Sequence, residues 1–254
     1  MKKVIILMAF LTVMIISASW MMEGCQEKLA PLSSIVVTAT LTPTPMPTSA
    51  ISNFQSGSVS MNSSLLNSLS GVFKNDTYGD SSMAMTLTAP VPSDGNTYAL
   101  HISGTYTDPG TGTYPAFELD GYPRSDNSFY NASSFTGIKF SWNCPSDDNS
   151  KQRFFDLVTA RIAPTNLGGN GVCGTGGAVP CYDYLSYTLP STAGVWVQET
   201  IPFTSLALQY ASGAPTTAQL TDLQQVLQLQ WKADSNNAAG NYTADFWIDN
   251  VQFY

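Results

Sequence analysis

Short runs in which apolar and polar residues alternate recur along most of this chain, and they constrain its fold more than any other feature. They lie between turns rich in Gly, Asn, Asp and Ser. Alternation with a period of two is typical of β-strands that bury one face, and helical spacing is almost absent. Their spacing favours an all-β fold, an antiparallel β-sandwich. The predicted strands are MAMTLTAP, YALHISGTY, GIKFSWNC, RFFDLVTARI, YLSYTLP, VWVQETIPF, VLQLQWKA and FWIDNVQFY.

Helical signals are confined to two short segments, SLLNSLSG and TTAQLTDLQQV. In the second, Thr217 is placed to cap a turn before Leu220 and Leu223. The strands themselves show which face is buried. In VLQLQWKA, Leu229 and Trp231 alternate with polar residues that include Gln228 and Gln230, so each sheet is predicted to have one buried face and one solvated, amide-rich face.

The first 24 residues have the composition of an export signal. Lys2 and Lys3 precede an apolar run over residues 4–16. That run is shorter than the ~20 residues of a membrane-spanning helix, so a retained anchor is the weaker alternative. Gly24-Cys25 resembles the end of a bacterial lipobox, which would make Cys25 a lipidated first residue. Cleavage after Ser19 is the alternative, and it would give a secreted protein.

The rest of the chain divides into a spacer, residues 25–50, and one domain, residues 51–254. The spacer is rich in Pro, Thr and Ser, and such a segment stays extended without forming a core. Removing residues 1–24 from a chain with 10 basic and 18 acidic residues leaves 8 and 17, a net charge of −9. This charge argues against binding to nucleic acid or anionic lipid. Membrane contact is therefore expected only through the lipid anchor at the cell surface.

Two of the four cysteines are expected to form a disulfide. Cys173 and Cys181 flank the Gly-rich connector GTGGAVP, and in an exported protein this spacing predicts a local bond. Metal binding is the alternative, although no histidine lies nearby. Cys144 is left over if Cys25 is lipidated, and it is a partner for Cys25 if it is not.

The sequence lacks the residue patterns of most known types of catalytic site. His101 is the only histidine, and it lies within a predicted strand, where a lone histidine is more often structural than catalytic; most imidazole-based catalysis is therefore not expected. No phosphate-binding loop and no nucleophile elbow occur. We therefore predict a protein that is not an enzyme. A glycoside hydrolase that uses two carboxylates is the remaining enzymatic alternative, with candidate acids Glu118, Asp120, Asp156, Asp183 and Glu199.

Several stretches, taken in order, resemble the galactose-binding-like jelly-roll carbohydrate-binding modules of secreted bacterial proteins, including the family-11 modules. ISNFQSG with SGVFKNDTYGDSS resembles their opening, and SSFTGIKFSW resembles one of their strands. VWVQETIPFTSLALQY, LQLQWKA and DFWIDNVQFY resemble their closing strands, and APTNLGGNGVCGTGGAVPCYDYLSYTL resembles a variant with a cysteine-containing insert. The resemblance covers most of residues 51–254 and implies a jelly roll.

The resemblance also implies a structural calcium ion that ties the first strand to the last. Asp249 matches the carboxylate that the closing strand supplies in these modules. Asn53 and Gln55 stand where the family has acidic residues in its opening strand. Calcium accepts amide and carbonyl oxygens, so a site is still expected, although with less charge. The alternative is that Asp249 only accepts hydrogen bonds from backbone amides.

A polysaccharide or glycan is the implied partner, bound by aromatic rings and by polar side chains on a sheet face. Two function classes follow: a carbohydrate-binding domain, or a structural or adhesive surface lipoprotein without sugar binding. A groove with two or more exposed aromatic residues would favour binding, and a flat Ser/Thr face would favour the other class. The candidate ligand-binding residues are Arg153, Asp156, Tyr182, Asp183, Tyr184, Gln228 and Gln230.

Overall fold

The structure is a computed structural model, and it describes residues 50–61, 69–78, 81–89, 97–110, 116–145, 152–164, 171–173, 181–208, 216–235 and 238–254. The predicted export signal, Cys25 and nearly all of the spacer lie outside the described residues, so they remain predictions. The described strands form two antiparallel sheets. Sheet A contains β1 (Ala50–Ser52), β3 (Ser81–Thr88), β4 (Ala99–Asp108), β6 (Gly137–Asn143), β9 (Val197–Pro202) and β12 (Gly240–Phe253).

In sheet A the strand order is β3-β4-β12-β6-β9, with β1 also paired to β12. The closing strand therefore lies in the middle of its sheet, between β4 and β6, which explains why its residues are so apolar. The strands of sheet B are β2 (Val72–Tyr78), β5 (Ala116–Tyr122), β7 (Gln152–Thr159), β8 (Leu185–Thr188), β10 (Ala207–Leu208) and β11 (Val226–Asp234). Their order across the sheet is β10-β8-β7-β11-β5-β2.

The two sheets pack face to face through aromatic side chains. Phe140 of β6 meets Trp231 of β11 edge to face, with ring centroids 5.3 Å apart. Tyr106 of β4 meets Phe117 of β5 at 5.2 Å. Phe140, Trp231 and Tyr106 lie in strands that the sequence predicted, Phe117 lies in one that it missed, and all four rings are at most 1% exposed. The predicted β-sandwich is confirmed, and its core lies between the sheets.

The eight predicted strands all contain an observed strand, but β1, β2, β5 and β10 were not among them. Helix is restricted to a 3₁₀ turn, Phe203–Ser205, and to α1 (Leu220–Leu223). The predicted cap of α1 was wrong, because Gln219 occupies the N-cap and the Asp222 carboxylate accepts its backbone N–H. Among the described residues, the helices are too short to cross a membrane.

Candidate functional site

The outward side of sheet B carries a set of polar side chains that we call the polar face: Glu118, Asp120, Asp156, Ser186, Gln228, Gln230 and Lys232. Neighbouring strands bring them together in register. Gln230 of β11 lies opposite Asp120 of β5 on one side and Asp156 of β7 on the other. Asp156 in turn lies opposite Ser186 of β8. A pleated sheet points these side chains the same way, so four strands build one continuous surface.

Amide groups on the polar face donate to carboxylates. The Nε2 of Gln228 donates to Asp120 Oδ2 at 3.0 Å. The Nε2 of Gln230 donates to Asp120 Oδ1 at 2.9 Å and to Glu118 Oε2 at 3.3 Å. Ionised carboxylates only accept, so the nitrogen of Gln230 must face β5. This fixes the orientation of the Gln230 side-chain amide, whose oxygen then faces away from β5.

Two acceptor atoms on the polar face are buried without a hydrogen-bond partner among the described residues. They are Gln230 Oε1 and Asp156 Oδ1, and they belong to residues that lie opposite each other on adjacent strands. Gln230 is 2% exposed and Asp156 is 3% exposed. Buried polar atoms without partners cost free energy, and they commonly mark a place where a ligand or a water completes the bonding.

The ionisation of the polar face is shifted by its burial. Burial raises the pKa of Asp156 to about 6, and the charges of Asp234 and Asp183 act in the same direction against Lys232. Burial alone would lower the pKa of Lys232, but the charges of Asp156, Asp234 and Glu118 outweigh it and raise that pKa. Lys232 Nζ lies 3.3 Å from Asp234 Oδ2. Lys74 of β2 lies opposite Asp120 at the edge of this surface. Carboxylates therefore outnumber ammonium groups here.

Tyrosine side chains border the polar face where the chain enters β8. Tyr182 is 55% exposed and has a left-handed φ of 68°, an uncommon conformation for a residue with a side chain. Tyr184 is half-buried, and burial together with the charges of Glu118 and Asp120 raises the pKa of its hydroxyl. The two rings meet edge to face with centroids 6.5 Å apart. This pair gives the face an aromatic border.

The predicted disulfide holds this border in place. Cys173 and Cys181 are bonded, as the sequence indicated, with Cα atoms 5.2 Å apart. The bond directly precedes Tyr182, whose backbone N–H donates to Ile162 O at 3.2 Å. Cys144, the residue that follows β6, is a buried thiol whose Sγ lies 3.8 Å from Pro145 O.

The structure brings most of the predicted ligand-binding residues together. Asp156, Gln228 and Gln230 share the polar face, and the charge of Asp183 acts on Asp156. Arg153 does not join them, because it lies an odd number of residues from Asp156 and opposite Ala233, on the inward side of sheet B. The prediction that Gln228 and Gln230 are solvated was wrong, since each is 2% exposed.

The sequence analysis missed how β5 contributes to this surface. Glu118 and Asp120 were named only as isolated acids, and Tyr122, whose hydroxyl lies 3.4 Å from Asp120 Oδ2, was not named. The signal was present in AFELDGY, where Phe117 and Leu119 alternate with the two acids. Lys232 was likewise placed on the outward side of its strand but was not considered as a site residue.

The predicted calcium ligands lie near the pairing of β1 with β12, which joins Ser52 to Val251. Their fit to a cation is incomplete. Gln55 Oε1 accepts the N–H of Thr97 at 2.6 Å, and its Nε2 donates to the carbonyls of Asn53 and Tyr98, each at 2.9 Å. Gln55 therefore ties the opening segment to the start of β4 by itself. The fully buried Asp249 accepts the N–H of Asn250 at 2.7 Å and is the only charged ligand in the predicted set.

The outward side of sheet A contains the only histidine. His101 stacks on Trp247 with ring centroids 3.8 Å apart and an interplanar angle of 2°. Its Nε2 lies 2.6 Å from Asp245 Oδ1, and since an ionised carboxylate only accepts, the imidazole donates. His101 and Asp245 have side chains that are each 19% exposed. The sequence predicted a structural role for His101, and its hydrogen bond to Asp245 and its stacking on Trp247 are contacts of a structural residue.

No protein-family model matches the chain, and no curated protein matches it. Solved structures with similar folds include a family 11 carbohydrate-binding module from Clostridium thermocellum in complex with a β-1,3-1,4-mixed-linked tetrasaccharide. It is 16% identical, the match covers 74% of this chain and 92% of that one, and the TM-score is 0.45.

Two further solved structures show the range of the similarity. A CBM27-1 of Caldicellulosiruptor saccharolyticus in complex with mannohexaose is 16% identical, the match covers 80% of this chain and 93% of that one, and the TM-score is 0.37. An exo-β-agarase is 14% identical, and the match covers 81% of this chain but only 24% of that enzyme, with a TM-score of 0.44. The two-sheet architecture of this chain stands on its own strand pairing, and no residue role is carried over from these structures.

Proposed function

We propose that this protein is a non-catalytic carbohydrate-binding module of an exported, lipid-anchored bacterial surface protein. The observation that carries the proposal is the pair of buried acceptors, Asp156 Oδ1 and Gln230 Oε1, which lack partners among the described residues. Sugars supply many hydroxyl donors in a small volume, and their C–H faces stack on aromatic rings. The polar face with its tyrosine border offers both kinds of contact.

The rim of the polar face gives a ligand a way to reach the buried acceptors. Glu118, Tyr122 and Ser186 are half-buried, and Lys232 has a side chain that is 22% exposed. Buried polar groups held by neighbouring strands are preorganised, which lowers the entropic cost of binding. Export and lipidation at Cys25 are part of the proposal on sequence grounds alone, and the extended spacer would hold such a module away from the membrane.

A glycan array with the full-length chain tests this function. We expect at least one polysaccharide or oligosaccharide to bind, and Gln230→Ala to lower its affinity at least tenfold, because the substitution removes an acceptor at the centre of the face. Gln198→Ala is the matched control, since Gln198 is an exposed glutamine of sheet A. If no glycan binds to folded wild-type protein, the structural or adhesive class replaces the proposal.

A glycoside hydrolase is the second candidate, and one observation favours it. Of the five candidate acids, Glu118, Asp120, Asp156 and Asp183 collect at the polar face, whereas Glu199 lies on β9 of sheet A. A carboxyl group whose pKa is raised by burial can act as a general acid. The release of reducing ends from a bound glycan, lost in Asp156→Asn, would replace the binding proposal. We expect no release.

A further inference from the structure

We infer that the polar face recognises a glycan carrying free ammonium groups, that is, a deacetylated amino sugar. The inference rests on the proposed function, because it names the class of sugar that the same site takes. It starts from the two unpartnered acceptors, each on a residue at most 3% exposed and each on an adjacent strand.

The two acceptor atoms are best satisfied by a chemical group that donates hydrogen bonds and accepts none. An ammonium group offers three N–H donors and accepts nothing, whereas a hydroxyl brings lone pairs that must themselves be satisfied. Gln230 has already directed its nitrogen to Glu118 and Asp120, so it can only accept on its other side. Asp156 Oδ1, as a carboxylate oxygen, also accepts. One ammonium can satisfy both.

The charges around the acceptors point to the same group. Asp234 and Asp183 act on Asp156, while Lys232 is the cation that acts on it. Glu118 and Asp120 lie one strand further on. An additional positive charge would offset the mutual repulsion of these carboxylates, and hydrogen bonds to charged partners are stronger than neutral ones. A uronic or sulfated sugar would meet repulsion instead.

Access and stacking are compatible with a sugar bearing this group. Ser186 lies opposite Asp156 on the neighbouring strand β8, and its side chain is half-buried. The buried Asp156 is therefore next to a residue that solvent can reach. Tyr184 lies close enough to Glu118, Asp120 and Asp156 for their charges to raise the pKa of its hydroxyl. A sugar ring resting on the Tyr182–Tyr184 pair would therefore direct a substituent toward the carboxylates.

The test measures affinity for matched sets of oligosaccharides that share length and linkage and differ in one substituent. Each set holds a free amino sugar, its N-acetyl form and the hydroxyl parent, in several linkages, and calorimetry uses the full-length chain at pH 7. We expect the amino form to bind at least tenfold more tightly than both partners, and added salt to weaken only that form. Asp156→Asn should remove the preference, whereas Asp126→Asn, at an exposed carboxylate, should keep it.

The outcomes separate the inference from the proposed function. If a neutral or N-acetyl glycan binds as tightly as its amino partner, the amino-sugar inference fails and carbohydrate binding stands. If no glycan in any set binds but another glycan of the array does, the amino-sugar inference alone fails; if nothing in the sets or on the array binds to protein with a normal melting curve, the proposed function itself fails. If Asp156→Asn does not fold, Gln230→Ala and the salt dependence of the wild type decide between the same outcomes.

Discussion

The outward faces of the two sheets differ in how they treat their polar groups. On sheet B, Asp120, Asp156, Gln228 and Gln230 are each at most 3% exposed, and acceptor atoms of Asp156 and Gln230 lack partners among the described residues. On sheet A the corresponding positions of β4 and β12 carry hydroxyl and amide groups that are half-buried or exposed, such as Thr105.

The contacts on sheet A are those of an ordinary solvated sheet. His101 is paired with Asp245, and Thr107 Oγ1 donates to Asn241 Oδ1 at 2.9 Å. Asp249 of sheet A is buried as well, but the polar face of sheet B buries two carboxylates together with two glutamine amides. Burying charge lowers stability unless a bound ligand compensates for the lost hydration. This difference is the reason for proposing that binding occurs on sheet B, and it can be tested by changes that act on one sheet only.

Removing the disulfide is expected to have the largest effect. Cys173→Ser with Cys181→Ser reopens a short loop, which should lower the free energy of unfolding by about 2–3 kcal/mol on the chain-entropy estimate. Because the bond adjoins Tyr182 at the border of sheet B, glycan affinity should fall as well. Thermal melting and calorimetry measure the two effects. Unchanged affinity in the folded double variant would show that this border plays no part in binding.

Asp156→Asn should stabilise the protein at neutral pH. The folded pKa of Asp156, about 6, lies above its ordinary value of 3.8, so the folded state binds the proton more tightly. Stability should therefore fall as pH rises from about 4 to 6, and the cost at pH 7 is on the order of 1–3 kcal/mol. The variant should gain that amount at pH 7 and little at pH 4, measured by urea unfolding. A loss of stability at pH 7 would mean that the charge is compensated.

Asp245→Ala makes the matching change on sheet A and should act in the opposite direction. It removes the acceptor for His101 at a half-buried site, which should lower stability by about 1 kcal/mol. Glycan affinity should stay at the wild-type value. Thr105→Ala, at an exposed position on the neighbouring strand, is the control and should change stability by less than about 0.5 kcal/mol. A loss of affinity in Asp245→Ala would place binding on sheet A.

The sequence predicted the fold well and the site only in part. Alternation identified β11 and β12 because their inward residues are large and apolar, but it could not tell whether Gln230 meets water or a carboxylate. That depends on which strand lies alongside, and β5 is brought next to β11 by a long-range pairing. Arg153 was a different kind of error. Its odd separation from Asp156 already placed the two on opposite faces of any regular strand.

The prediction that a binding groove would expose two or more aromatic residues was only partly met. Two exposed rings were required for a binding groove, and among the described residues the border of the polar face has one exposed ring, Tyr182, beside the half-buried Tyr184. The outward side of sheet A carries Ser103, Thr105 and Thr107, but His101 and Trp247 stack on the same side, so it is not a face of Ser and Thr alone. Exposure depends on how chain segments outside the strands border a sheet, and the period of a strand carries no information on that arrangement.

Calcium is expected to produce the smallest effect, and it would act through Asp249, a fully buried carboxylate of sheet A. A site with one carboxylate should be weak. For a Kd of about 1 mM, 1 mM calcium would stabilise the fold by about 0.4 kcal/mol, a small rise in Tm that a chelator should reverse. Asp249→Asn should abolish the rise, and magnesium should not reproduce it.

Gln55→Ala separates the two ways of tying the opening segment to the sheet. If Gln55 is a calcium ligand, the variant should lose the calcium-dependent rise in Tm. If its hydrogen bonds to residues 53, 97 and 98 are what matter, Tm should fall by the same amount with calcium and with chelator. A wild-type Tm that ignores both additives would remove the ion from this fold, because the Gln55 amide would then tie the opening segment to β4 without one.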